Sequence, residues 1–317
     1  MYFPFLYARQ SELLALRAMF DDDRPLDLLV PVLEPVLAKT KALVRCIDDF
    51  GSADQALAVI LNPDKHELKQ PDEAGKWLKV VSDSIDEYSS VIPMFRCTSN
   101  TQISEVNAFL KRYAKREVII AYSSPSFADA QLKILTANPN IRFHISLNGK
   151  MTAAQRALLP TTKRVSIRDY FNKLDRNADY DGAEMFTDRR RTFRASWAGF
   201  GDYAAIGSAF SATGGPPAAV AIHATYKEPK SGDIWIEHFV SDDTDMKVGS
   251  IQGKFVQAAQ KLSAAAKSRP KQFGKNFALD EYADHASNAH FPGLPKNKEL
   301  QVSHHLCLML DVLNGVV

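Results

Sequence analysis

The chain has 317 residues, 45% of them hydrophobic and 24% charged, with a formal net charge of +2. This composition suits a globular protein with a sizeable core, and so small a net charge argues against nucleic acid as the partner, since such binding usually leaves a basic footprint. Three dispersed cysteines, Cys46, Cys97 and Cys307, argue against a disulfide framework or a cysteine zinc site and for a cytoplasmic setting, and no apolar run reaches the ~20 residues of a membrane span.

Residues 2–7 read as an aromatic first strand, and 10–20 as a helix with leucines at helical spacing. Residues 28–36 (LLVPVLEPV) are apolar on both parities up to Glu34, the pattern of a strand buried on both faces. A helix over 40–50 follows, with Gly51 as its expected C-cap. The unit recurs. Strands are expected at 56–61, 91–95, 117–122, 141–147 and 164–167, and helices at 72–88, 104–115, 127–137 and 152–159. Residues 172–194 are polar and irregular and read as a long loop with a short helix, carrying the run Arg189-Arg190-Arg191. Residues 195–203 (ASWAGFGDY) read as an eighth strand, although glycines weaken strands. A hairpin is expected over 218–226 and 233–240, a helix over 253–266, and two helical stretches in the tail, 280–289 and 302–313.

Short apolar strands alternating with helices are the grammar of a parallel α/β sheet. An open nucleotide-binding sheet should carry a glycine-rich turn after its first strand. Ala8-Arg9-Gln10-Ser11 stands there instead. Eight strands therefore point to a (β/α)8 TIM-barrel-like fold, expected over residues 1–268. The hairpin, about 218–241, is expected as an insertion after strand eight, and 269–317 as a C-terminal helical extension packed on the barrel.

Such barrels place their chemistry at the C-terminal strand ends. Those ends carry Arg9 and Gln10, Glu34, Asn62, Arg96, Ser123, Asn148, Asp169 and Asp202. Glu34, Asp169 and Asp202 are the candidate catalytic residues, sharing a Mg²⁺ ion or dividing acid and base roles. Gln10, Asn62, Arg96, Arg190, Gly214 and Gly215 are the candidate ligand-binding residues, because arginine forks and a Gly-Gly turn both suit phosphate oxygens. Polar capping of strand ends and a solvated arginine run are the simpler readings of the same residues. His144 alternates with apolar residues and could point into the barrel. Cys97 reads either as a nucleophile beside Arg96 or as a buried structural thiol.

Tyr2-Phe3-Pro4-Phe5-Leu6, Arg9-Gln10 with Glu12-Leu13-Leu14, and Val30-Pro31-Val32-Leu33-Glu34-Pro35 resemble the Beta-protein family of bacteria and phages. Phe200-Gly201-Asp202-Tyr203 and Ile234-Trp235-Ile236 are similar to its C-terminal half. The resemblance spans roughly residues 1–245. It implies a barrel-like α/β protein tied to phage or mobile-element conflict, adds weight to Gln10, Glu34 and Asp202, and carries no catalytic assignment. Two functions follow as expectations. One is a hydrolase or phosphodiesterase acting on a phosphorylated or nucleotide-like ligand at the rim. The other is a non-catalytic scaffold or immunity component, with the apolar helix over 302–313 facing a protein partner or a second copy.

Overall fold

A computed structural model describes residues 1–22, 24–192, 197–212, 215 and 217–317. The chain forms two compact units, the first built from Met1–Leu13, Leu26–Asp169 and Thr192–Tyr203.

The first unit is a (β/α)8 TIM-barrel-like fold. Its strands are β1 (Phe5–Leu6), β2 (Val32–Leu33), β3 (Leu57–Ile60), β4 (Val91–Cys97), β5 (Val118–Tyr122), β6 (Ile141–Leu147), β7 (Arg164–Ile167) and β9 (Gly199–Gly201). They pair in parallel in that order. Helices α1 (Gln10–Ala18), α2 (Lys41–Ser52), α3 (Pro71–Glu87), α4 (Ile103–Arg112), α5 (Asp129–Thr136) and α6 (Ala153–Ala157) each follow one strand, from β1 to β6. Gly51 lies inside the last turn of α2 rather than beyond it. A Cβ there would sit 2.1 Å from the Tyr88 ring, so the glycine makes room for a neighbour instead of ending the helix.

The sheet closes on itself at β9. Phe3 N–H donates to Phe200 O (2.9 Å), Phe5 N–H donates to Asp202 O (2.8 Å), and Tyr2 bridges both Leu29 and Phe200. The glycines of this strand are what closure requires. A Cβ on Gly201 would lie 1.9 Å from Phe3 O, and one on Gly199 would lie 2.4 Å from the Phe3 ring. The Phe3 ring in turn meets Phe143 at 5.2 Å. Strands β1 and β6 are not neighbours in the sheet, so that contact is made across the barrel interior. Phe143 therefore faces inward, and His144, next to it on the strand, faces outward. The expected inward His144 is thus corrected. It stacks on Tyr122, whose hydroxyl lies 2.9 Å from its Nδ1.

The second unit comprises Leu14–Pro25, Tyr170–Arg191 and Ala204–Val317. The expected hairpin is present as β10 (Ala221–Lys227) and β11 (Ile234–Val240). A third strand, β8 (Ala183–Thr187), pairs antiparallel with β11 inside the stretch expected to be a loop. It is short and half exposed, so it shows no continuous apolar run. A short helix, α7 (Arg189–Thr192), follows it, and the tail forms α8 (Ile251–Ser268), α9 (Pro270–Phe273), α10 (Phe277–Ser287) and α11 (Leu294–Asn314).

The expected division near residue 268 does not separate these elements. Ile222 and Tyr226 of the hairpin share one buried cluster with Phe255 and Leu262 before that point and with Phe273 and Leu279 after it. Helix α11 is covered nearly all round by its own chain, with Val302, Leu306, Cys307, Leu308, Met309 and Leu310 fully buried. At ~1.5–3 kcal/mol per buried aliphatic side chain, its apolar face is used in folding the unit. The partner surface expected over 302–313 is therefore occupied by the chain itself.

Candidate functional site

The residues that follow the barrel's strands at their C-terminal ends converge around Glu34. Its backbone N–H donates to Leu6 O (2.8 Å), which continues the ladder one residue past β2 and leaves the side chain at the end of the strand. The Glu34 carboxylate is buried, and its Oε1 lies 3.1 Å from Arg96 Nη1 and 3.3 Å from Lys65 Nζ. Arg96, near the end of β4, is 7% exposed, and its Nη2 also pairs with Asp64. Asn62 fixes this strand end. Its Nδ2 donates to Arg96 O and its Oδ1 accepts from Arg96 N–H, both at 2.9 Å.

Burial raises the pKa of Glu34, against the opposing pull of Arg96 and Lys65. Burial also works against the charge on Arg96, but Glu34 and Asp64 beside it carry its pKa upward. Taking two charges out of water costs several kcal/mol per ion. A pair this deep is therefore poor evidence of stabilisation and better evidence of a site.

Two tyrosines complete the cluster. Tyr7 follows β1 and Tyr203 follows β9, and both rings pack on Phe5. Burial holds both phenols protonated, and Glu34 and Asp169 act on both in the same direction, which puts each tyrosine within electrostatic reach of both carboxylates. Glu12, fully buried in α1, adds to the effect on Tyr7. Asn148 ties two further strand ends together. Its Oδ1 accepts from Asp169 N–H (2.9 Å), and its Nδ2 donates to Tyr203 Oη (3.3 Å). Its φ of 50° lies in the left-handed region, as do those of Ala8 (51°) after β1 and Ser124 (61°) after β5. Left-handed non-glycine residues store strain, and they concentrate at functional sites.

The sequence therefore supplied Glu34, Asn62, Arg96 and Asp169 to one cluster. It did not single out Tyr7, Glu12, Asp64 or Lys65. Tyr7 carries a readable signal, a polar group just past an apolar strand, whereas Glu12 reads as an ordinary first-turn helix carboxylate and Asp64 and Lys65 as ordinary loop charges.

Asp202 does not join the cluster. It shares strand parity with Phe200, whose ring meets Tyr2 at 5.6 Å, and its Oδ1 accepts from the Tyr2 hydroxyl at 2.7 Å. Gly201 and Tyr203 take the inward face, so Asp202 faces away from the interior. Among the described residues, no group of three or more histidine, cysteine, aspartate or glutamate side chains could hold a metal ion. Asp202 therefore does not face Glu34 and Asp169, and the charges nearest Glu34 are those of Arg96 and Lys65. Gln10 is exposed at the start of α1. Arg190 lies in the second unit, where Nε and Nη2 both donate to Gly232 O (2.9 and 2.5 Å), and Arg191 pairs with Asp233. Arg190 and Arg191 thus brace the hairpin turn. Gly215 is exposed with open space around it, and Gly214 falls outside the described residues, with Thr213 and Arg194. Cys97 is fully buried, and burial pushes its thiol far up, so the structural reading holds.

Comparison of the chain with protein-family models, with curated proteins and with solved structures finds no match to any of them.

Proposed function

We propose that the chain is a hydrolase acting on a phosphorylated or nucleotide-like anion at the C-terminal mouth of its barrel. The observation that carries this reading is the buried Glu34 held between Arg96 and Lys65, in the place where this fold keeps its reactive groups. Burial raises the pKa of Glu34, the direction that favours a carboxyl able to give as well as take a proton, against the pull of Arg96 and Lys65. Arg96 and Lys65 supply positive charge for the ligand's oxygens. Tyr7 and Tyr203, kept as neutral phenols, can donate hydrogen bonds to charge developing on the leaving oxygen. Asp169, held through its backbone by Asn148, is the second carboxylate and orients the attacking water. The motif around Glu34 that resembles the Beta-protein family makes phage or mobile-element conflict the proposed setting.

The test is hydrolysis of a panel of chromogenic phosphomonoesters and phosphodiesters. Loss of a general acid–base group costs about 100-fold or more in rate. Glu34→Gln should lose that much while still unfolding cooperatively, because Arg96 keeps Asp64 as a partner. A variant within twofold of the parent removes Glu34 from the chemistry.

A further inference from the structure

Arg96 is not fully used. Glu34 Oε1 lies within ion-pair distance of Nη1 (3.1 Å) without hydrogen-bond geometry and Asp64 pairs with Nη2, but Nε is buried and has no hydrogen-bond partner among the described residues. Nε and Nη2 form one edge of the guanidinium plane, the edge that takes two oxygens of a carboxylate or phosphate side by side. Another arginine of this chain shows the edge filled. Arg24 donates from Nε to Asp311 Oδ1 (2.8 Å) and from Nη2 to Asp311 Oδ2 (3.1 Å). At Arg96 the same edge is only half filled.

The group that half fills it is the most exposed member of the cluster. The Asp64 side chain is 57% exposed, against 2% for Glu34 and 8% for Arg96. Asp64 sits in the loop after β3, beside Lys65, whose Nζ lies 3.8 Å from its Oδ1. Returning Asp64 to water therefore costs little, whereas leaving a buried N–H unpaired has a standing cost. Resting on the reading of this rim as a ligand site, we infer that the Nε/Nη2 edge of Arg96 is the docking point for a ligand's oxyanion, and that Asp64 is an internal stand-in for it. The ligand's carboxylate or phosphate displaces Asp64, takes both donors, and gains Lys65 as a second cation. Glu34 stays on Nη1 and holds the guanidinium in place. The resting protein is thus self-inhibited toward weak anions.

The test reads binding rather than turnover, by titration calorimetry of the full chain with inorganic phosphate and, separately, with acetate. Removing the competitor should tighten binding by about fivefold, the factor that corresponds to an exposed ion pair of ordinary strength. Asp64→Ala and Asp64→Asn should both show the gain, and the exposure of Asp64 makes either variant fold. Adding Arg96→Lys to Asp64→Ala keeps the charge, removes the two-donor edge, and should abolish the gain, with thermal unfolding used to verify that the double variant is folded. A gain for phosphate alone assigns a phosphoryl ligand and a gain for acetate alone a carboxylate; either supports the site. If both Asp64 variants bind neither anion more tightly than the parent, or if the double variant binds as tightly as Asp64→Ala, the inference is overturned. Absence of hydrolysis with the gain intact would reject the hydrolase and leave the anion site standing.

Discussion

The buried His304 makes the stability of the second unit depend on pH in a way that one substitution isolates. The N-cap of α10 fixes its proton. Asn276 Oδ1 accepts Leu279 N–H at 3.1 Å, so the Asn276 amide cannot turn over without losing the cap. Its Nδ2 therefore donates to His304 Nδ1 (3.1 Å), and His304 Nε2–H donates to Thr225 O (2.8 Å). Both ring nitrogens are committed in the neutral form, and a proton on Nδ1 would face another donor. Burial lowers the pKa to about 4. The Thr225 carbonyl opposes the shift, and His305 and Arg24 reinforce it.

The sign follows from proton binding. Between an unfolded value of about 6.5 and the folded value, the unfolded chain holds more protons, so stability rises with pH across that window. It is fully present above about pH 6.5 and is lost as the pH falls toward 4. From pH 7 to pH 5 the loss due to this residue is about 2 kcal/mol. His304→Gln keeps a donor for Thr225 and an acceptor for Asn276 but does not titrate. Urea unfolding of both proteins at pH 7 and pH 5 gives two pH-dependent losses, and the parent's should exceed the variant's by about that amount. Other buried histidines, His144 and His223 among them, cancel in the difference. Equal losses would show that His304 protonates freely in the folded protein and would refute the reasoning.

Two further substitutions probe the barrel. Gly201→Ala should cost at least about 3 kcal/mol or abolish soluble expression, because the new Cβ would fall 1.9 Å from a backbone oxygen that cannot retreat without opening β9 from the first strand; a variant as stable as its parent in urea would mean that the strands do not approach so closely. Asn62→Ala removes both side-chain hydrogen bonds to the Arg96 backbone, which should cost about 2 kcal/mol by the same measurement and weaken phosphate binding with it. Unchanged stability would make Asn62 a bystander.

How much of this was legible in the sequence depends on the kind of contact involved. The central barrel strands were the most legible, because a strand buried on both faces reads as a continuous apolar run, as at 57–60 and 118–122. The rim residues Glu34, Asn62, Arg96 and Asp169 were legible as the polar groups that end such runs. Strand β8 was not, because its residues Ala183-Glu184-Met185 keep side chains partly in water and its pairing with β11 bridges some fifty intervening residues of chain.

By itself, then, the sequence determined the alternation of strand and helix, the number of barrel strands and the level at which polar groups gather. These follow from burial and from period, which are local properties. Only the tertiary structure decided which of those groups face one another. Asp202 and Tyr203 are adjacent in the chain, yet the register that closes the barrel turns Tyr203 toward Phe5 and Asp202 toward Tyr2. A one-residue step along a strand reverses the face, and register is set by pairing with a strand almost 200 residues away. The arginine run shows the same limit. Its charge is plain in the sequence, but its partners, Gly232 and Asp233, come from a turn brought beside it by the fold.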